Sequence, residues 1–279
     1  MTFVAVKPYV VINIDDIGMC HGANAAFVAL SKAGRVDSGS LMVPCPWYSE
    51  MVELGLGDPS LKIGVHLTLN AEKKHYRWRP LTKATKASGL VDADGFLWRS
   101  VPELRRNAAP EAVAAEMRAQ IETFLASGLK PAHIDGHMGA ALSPEFYDAY
   151  LALAEEFDIP ALRPAGVDVY GPKHNLGAVE KYFYVMRADR LWREGKALVD
   201  RVLETPWTLD GDVRERYGAL FGGIGPGLNF FALHANAPGD IEAIEATAQI
   251  RIQEFEFLAS DAFGRWLEKQ DFMRGVLPA

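Results

Sequence analysis

The feature that most constrains the fold is the apolar run at residues 9–14, Tyr-Val-Val-Ile-Asn-Ile, which leads directly into Asp15 and Asp16. A largely β-branched run of this kind is typical of a strand buried on both faces, as in a parallel sheet covered by helices. Polar residues gather toward its C-terminal end, where α/β folds place their chemistry. The run therefore predicts an α/β protein with a site just after its first strand.

Strand-like and helix-like runs alternate along the rest of the chain. The predicted helices cover about residues 22–33, 110–127, 144–157 behind an N-cap at Ser143, 185–202 and 241–258. The further predicted strands cover 38–43, 62–69, 131–134, a run ending at Arg163, 167–170 and 229–233. The alternation predicts a mainly parallel sheet, and the strand count favours closure into an irregular β/α barrel. We interpret residues 1–279 as one domain with an excursion from the barrel rim at about 76–98.

Composition and charge exclude some classes of partner. The chain has 29 basic and 36 acidic residues, and its formal charge of −7 works against binding to nucleic-acid phosphates. Its first residues lack the basic segment and long apolar core of an export signal, so we expect a cytoplasmic protein. No apolar run is long enough to span a membrane. Assembly into a homo-oligomer is left open.

The adjacent carboxylates of Asp15 and Asp16 indicate a metal site. Two like charges at the end of a buried strand repel each other, and desolvation raises the energy of both. A bound cation removes that difficulty. Because successive residues of an extended chain point in opposite directions, one aspartate can ligate the cation while the other orients a water. The alternative is that either aspartate caps the helix that begins near Gly22.

Histidines occur near the C-terminal ends of three later strands. His66 lies in an apolar strand, where it fits a hydrogen-bonded core residue as well as a ligand. Strand periodicity over residues 133–137 predicts that His133, Asp135 and His137 share one side. His234 ends the strand at 229–233 and fits the core and the site equally.

These residue types suit one divalent cation. Histidine and aspartate ligands together favour zinc and also fit less selective divalent sites, whereas oxygen-rich shells favour magnesium. Arg163, at the end of its predicted strand, is expected to pair with a carboxylate and orient it.

Four segments together resemble the YdjC-like carbohydrate deacetylases, which include chitooligosaccharide deacetylases and hopanoid-associated relatives. The segments are residues 13–18 (Asn-Ile-Asp-Asp-Ile-Gly), 64–67 (Gly-Val-His-Leu), 133–137 (His-Ile-Asp-Gly-His) and the late His234. The likeness extends to the order and spacing of elements over nearly the whole chain. It implies an irregular β/α barrel of the polysaccharide-deacetylase type.

The resemblance also implies roles for residues. It implies a metal held by Asp16, His66 and His133, with Asp15 at the position of the general base. The implied reaction removes an N-acetyl group from an amino sugar in a small oligosaccharide. The chain differs from the family pattern at residues 138–141 and after His234, so the substrate-facing surface is not carried over.

We therefore expect amide hydrolysis by a metal-bound water, with Asp15 taking the proton and a histidine protonating the departing amine. His234 is the first candidate for that acid and His137 the second, while Asp135 and Arg163 are expected to orient or bind. One alternative is a metal-dependent isomerase or aldolase on the same barrel. Another is a barrel that binds a sugar without catalysis.

Overall fold

The computed structural model describes residues 7–166 and 176–279. Within these ranges the first half contains β1 (Tyr9–Ile17), α1 (His21–Lys32), β2 (Ser38–Leu41), α2 (Tyr48–Gly57), β3 (Ile63–Leu67), α3 (Val101–Asn107), α4 (Pro110–Ala126) and β4 (Ile134–Gly136). The second half contains α5 (Pro144–Glu156), α6 (Lys181–Arg193), β5 (Arg201–Glu204), α7 (Val213–Phe221), β6 (Leu228–Leu233), α8 (Ile241–Ile244), α9 (Ala248–Ala259), α10 (Asp261–Leu267) and β7 (Met273–Arg274). The strand predicted at 167–170 lies outside the described residues.

The sheet is parallel and follows the order β4-β3-β2-β1-β6-β5, with short β7 pairing with the start of β1. Strand β1 lies at the centre and is buried from Val10 to Ile17, which confirms the interpretation of its apolar run. Because the strands run the same way, their C-terminal ends meet at one edge. Asp15, Asp16, His66 and His234 lie at or next to that edge.

The sheet curls into a half-barrel surrounded by helices, as the predicted α/β barrel class requires. Residues 160–165 connect its two outer strands irregularly. Leu162 donates its backbone N–H to Ile134 in β4 at 2.9 Å, and Ala165 donates to Val199, just before β5, at 2.9 Å. Among the described residues, one bridge forms on each side, Ile134 with Ala161 and Pro164 with Val199.

Helix α4 fixes the end of β3. Its apolar face buries Val113, Met117, Ile121 and Phe124, as the periodicity predicts. From the same helix, the buried Gln120 amide accepts the backbone N–H of Thr68 and donates to the Thr68 carbonyl, both at 2.8 Å. This pair of bonds anchors the chain two residues beyond His66.

Several sequence predictions were wrong in their boundaries. The predicted helix at 185–202 ends at Arg193, and the chain then enters β5 at Arg201. The last predicted helix divides into α8 and α9. Ser143 precedes α5, but its side chain makes no capping hydrogen bond. Helix α2 was not anticipated.

The excursion at 76–98 has little regular structure beyond a short 3₁₀ turn at Lys86–Ser88 and an antiparallel bridge between Val91 and Leu97. Trp78 and Leu97 bury against the core, so the segment packs onto the barrel. In the part of the chain that the structure describes, no helix is long and apolar enough to cross a membrane.

Candidate metal and catalytic site

A cavity of about 330 Å³ opens at the C-terminal ends of the central strands. Its lining joins both predicted aspartates to residues from distant parts of the chain: Asp15, Asp16, Glu72, Lys73, His137, Met138, Val202, Glu204, Trp207, Ala232, His234, Glu245, Thr247 and Arg251. This is the place at which α/β barrels position chemistry.

An irregularity at the end of β1 directs the two aspartates differently. The pairing of β1 with β2 shifts register between Ile14 and Ile17, and Asp16 has a φ of +62°. A left-handed backbone is uncommon for a residue with a side chain, and such positions cluster at functional sites. Register shifts of this kind re-aim side chains next to active sites.

Asp16, His66 and His137 form a buried group with the donor atoms of a metal site. Asp16 Oδ1 lies 3.5 Å from His66 Nε2 and 3.0 Å from His137 Nδ1. One donor atom from each residue lies within 4.8 Å of the other two. Asp15, His66 and Asp135 meet the same criterion, so His66 belongs to both groups.

Each histidine of the first group has a carboxylate on its other ring nitrogen. Asp135 Oδ1 lies 2.7 Å from His66 Nδ1, and Glu72 Oε2 lies 3.0 Å from His137 Nε2. Metal-binding histidines almost always carry such a partner, which fixes the ring and its tautomer. Sequence reasoning anticipated an orienting role for Asp135 but missed Glu72, which lies in the coil after β3.

His133 does not join either group. Its ring packs against β3 at Gly64, where a Cβ atom would approach the imidazole to 2.6 Å. Its Nε2 lies 3.0 Å from Ser40 Oγ and 3.3 Å from Asp135 Oδ2. The geometry therefore places His137, not His133, beside Asp16 and His66.

The side chains of residues 133–137 reach the site by a backbone route that strand periodicity did not predict. Strand β4 contains only Ile134–Gly136, and His137 begins a 3₁₀ turn in which Met138 has a φ of +51°. His133 and Asp135 do face each other, but the turn carries His137 toward β1. Strand alternation applies only as far as the strand continues.

The adjacent carboxylates have opposite electrostatic environments. Burial raises the pKa of Asp15 well above its usual value, and the charges of Asp135 and Asp16 add to this. Burial also raises the pKa of Asp16. The neighbouring Arg251 and His137 outweigh this effect and hold the pKa of Asp16 well below its usual value. Asp16 is therefore an anion at neutral pH, and Asp15 is a carboxylate with high proton affinity.

His234 follows β6, the strand next to β1, and lines the cavity beside Asp15. Its Nε2 is 4.0 Å from Asp15 Oδ2, and its ring centroid is 4.7 Å from that of Trp207. Burial lowers the pKa of His234 to about 4, so the ring is neutral at pH 7. The structure thus brings His234 to the site, although its sequence context fitted the core equally.

A chain of ion pairs borders the Asp16, His66 and His137 group. Arg251 Nη1 lies 2.8 Å from Asp16 Oδ2, and its Nε lies 2.5 Å from Glu245 Oε1. Glu245 also pairs with Lys73, whose Nζ lies 3.0 Å from Glu72 Oε1. Sequence reasoning missed Arg251, whose only signal is a charge between Ile250 and Ile252 on a buried helix face.

Two expectations concern residues away from the cavity. Arg163 is buried but lines a different pocket, beside α5 and α6, so it does not orient the groups described above. Trp47, Trp78 and Trp98, whose rings could stack on a sugar, do not line the cavity. Trp207 does, with 42% of its surface exposed.

A family model described as YdjC-like protein matches residues 9–269. The chain belongs to the YdjC-like family. A Thermus thermophilus protein named carbohydrate deacetylase is 35% identical over 175 residues, covering 62% of this chain and 61% of that protein. A Thermoanaerobacter pseudethanolicus protein of the same name is 28% identical, covering 67% and 72%. The match thus spans about three fifths of the length of the Thermus relative.

The fold of this YdjC-like chain is also found in a solved structure. A crystal structure from Enterococcus faecalis V583, whose description proposes cellobiose-phosphate cleavage, superposes with a TM-score of 0.78 at 22% identity. It covers 97% of this chain and 98% of that one. At this identity the likeness establishes the fold.

Proposed function

We propose that this protein is a metal-dependent carbohydrate deacetylase that removes an N-acetyl group from an amino sugar or small oligosaccharide. The observation that carries the proposal is the buried Asp16, His66 and His137 group beside Asp15 on the wall of one cavity. Relatives named carbohydrate deacetylase support the reaction type.

The donor set fits a divalent cation. One carboxylate oxygen and two imidazole nitrogens are a common three-residue set for catalytic zinc, which leaves further positions open. The low pKa of Asp16 keeps it anionic, and Asp135 and Glu72 hold the two rings. We propose Asp16, His66 and His137 as the ligands, with zinc favoured over magnesium because two donors are nitrogen.

A divalent cation bound there supplies Lewis acidity, polarising a carbonyl oxygen and lowering the pKa of water. The protein supplies the proton transfers. Asp15, a buried carboxylate adjacent to the proposed ligand Asp16, removes a proton from the attacking water. His234, whose Nε2 lies 4.0 Å from Asp15 Oδ2, delivers a proton to the departing amine. This leaves His137 as a ligand and no longer a candidate acid.

The cavity suits a substrate the size of one or two sugar rings. Its volume of about 330 Å³ is at the small end of ligand sites. Trp207 presents an exposed ring next to His234, on which the apolar face of a pyranose can stack. We propose that this ring orients the sugar so that its acetamido group faces Asp15.

Acetate release tests the reaction. The protein is stripped with a chelator, reloaded with zinc or magnesium, and assayed on a panel of N-acetylated mono- and oligosaccharides. We expect acetate and free amine in equal amounts, only in metal-loaded samples. Turnover of a panel sugar without acetate would favour the isomerase or aldolase alternative, and loaded protein that binds sugars but converts none would favour a sugar-binding barrel.

A further inference from the structure

Behind His234 lies a buried polar group that the proposed reaction has not used. Thr205 follows β5, Tyr217 lies on α7 and Glu254 lies on α9, and each is at most 2% exposed. A carboxylate fully removed from water is costly unless its oxygens accept hydrogen bonds. We therefore expect the Glu254 carboxylate to be compensated by hydrogen-bond donors.

Glu254 accepts three hydrogen bonds. Its Oε2 accepts the Tyr217 hydroxyl at 2.7 Å and the Thr205 hydroxyl at 2.9 Å. Its Oε1 accepts the backbone N–H of His234. Burial raises the pKa of Glu254 to about 7, and these three bonds oppose the rise. All three partners donate hydrogen bonds, so they stabilise the ionised form of Glu254.

The single hydroxyl hydrogen of Thr205 determines the tautomer of His234. Thr205 Oγ1 also lies 2.8 Å from His234 Nδ1. A hydroxyl has one hydrogen, and Thr205 donates it to Glu254, so its oxygen must accept from Nδ1. The proton of the neutral imidazole then lies on Nδ1. The lone pair lies on Nε2, the atom nearest to Asp15.

We propose that Glu254, acting through Thr205, is a positioning residue that holds His234 as the neutral Nδ1–H tautomer, with Nε2 free to accept a proton at the cavity. This inference rests on the proposed function for its catalytic meaning. It deepens that function by assigning His234 a starting state.

The tautomer determines the route of the proton. A neutral His234 has no proton at Nε2 to donate, so it must first receive one. The proton that Asp15 takes from water passes to Nε2 and then to the departing amine, while the C–N bond breaks and the C–O bond remains. Asp15 and His234 both return to their starting states. The Glu254 charge favours the transient imidazolium through the Thr205 hydroxyl.

The tautomer can be read directly by NMR. The full chain, labelled with ¹⁵N-histidine, contains 7 histidines, and a His234→Gln variant assigns the signal. At about pH 8, above the pKa of Glu254, we expect a pyrrole-type shift for Nδ1 and a pyridine-type shift for Nε2. A wild-type protein with the proton on Nε2 overturns the proposal.

Two variants of Thr205 test the relay. Thr205→Val removes the hydroxyl at nearly constant shape, and we expect the proton to move wholly or partly to Nε2. Thr205→Ser keeps the hydroxyl and should keep the wild-type pattern. Thr123→Val, on the exposed face of α4, is the matched control. An unchanged tautomer in Thr205→Val overturns the relay.

Kinetics provide a second readout that packing alone does not reproduce. We expect Thr205→Val to lower kcat about 10-fold or more with little change in KM, and Thr205→Ser to restore most of it. Equal losses in both variants would contradict the relay. If wild-type protein deacetylates no sugar, the proposed function fails, but the NMR result still decides the tautomer.

Discussion

The two walls of the cavity differ in how the chain builds them. The wall formed by β1, β3 and β4 takes its groups from short motifs at strand ends: Asp15, Asp16, His66, Asp135 and His137. The opposite wall takes its groups from coils after β5 and β6 and from helix α9: Thr205, Trp207, His234, Arg251 and Glu254. The first wall has the geometry to hold a cation beside the proposed base Asp15, and the second has the geometry to return a proton and contact substrate.

This division has an electrostatic basis. On the first wall, the pKa of both His66 and His137 is raised because neighbouring carboxylates outweigh burial. On the second, burial dominates and the pKa of His234 falls. Variants of the proposed ligands and of their carboxylate partners should therefore change metal affinity, whereas variants of Asp15 and of the second wall should change rates at full metal loading.

The ligand assignment gives the largest expected effect. His137→Ala should abolish stoichiometric metal binding and reduce activity to background, because it removes one of three proposed ligands. His133→Ala should retain metal, since His133 packs against Gly64 away from Asp16. Elemental analysis of folded, zinc-equilibrated protein measures both. Metal retained in His137→Ala and lost in His133→Ala would restore the set implied by family resemblance.

Asp15→Asn should keep the metal and lose most of the turnover. Loss of a general base typically costs about 10²–10⁴ in rate, and Asn preserves the shape of the side chain. Steady-state kinetics with zinc-loaded protein measure the loss. Asp94→Asn, in an exposed turn, is the matched control. Near-normal deacetylation by Asp15→Asn would refute the base assignment.

Acid should lower the free energy of unfolding of the protein because His234 is buried in its neutral form. Its pKa is about 4 when folded against an ordinary 6.5, so the unfolded chain binds the extra proton first. The contribution of the neutral His234 ring to the free energy of unfolding is complete above pH 6.5. As the pH falls toward 4, this contribution decreases by about 3 kcal/mol. Urea unfolding across this range should show a shallower decline for His234→Gln. Parallel declines would mean that His234 is not buried as described.

Glu72→Gln should weaken metal binding without removing it. Loss of the charge at His137 Nε2 is expected to reduce affinity by about 10-fold, at the lower end of the usual effect of such partners. Competition with a chromogenic chelator measures the change, and exposed Glu53→Gln serves as control. If affinity is unaffected while kcat falls, Glu72 belongs functionally to the opposite wall.

Trp207→Ala should give the smallest effect, a rise in KM of roughly 3- to 10-fold, as expected for one aromatic contact. Metal content should not change. Trp207→Phe should recover part of the loss, and Trp192→Ala, exposed on α6, should have none. A KM that stays constant in Trp207→Ala would place the sugar elsewhere on the rim.

Sequence predicted the first wall better than the second for a physical reason. A buried strand has period two and a defined end, so Asp15, Asp16 and His66 could be placed at one edge from pattern alone. The same pattern did not predict that His137 lies beside Asp16, because β4 stops after three residues and a left-handed turn follows. The local pattern does not encode where a strand stops pairing.

The second wall depends on how helices dock. Arg251 and Glu254 lie three residues apart on one face of α9, among residues that also fit a plain apolar helix. Only the packing of α9 among α1, α7, α8 and α10 turns them toward Asp16 and His234. Arg163 shows the converse, since a strand-end position did not direct its side chain into the cavity.

The ion pair between Asp16 and Arg251 has a consequence for the order of assembly. The two residues lie near opposite ends of the chain, so on the ribosome Asp16 emerges long before its counter-charge exists. A nascent chain with β1 to β4 in place would hold Asp15 and Asp16 side by side without that compensation. Asp16 therefore gains the counter-charge that holds its pKa low only when α9 docks, so the last third of the chain completes the electrostatics of the first strand.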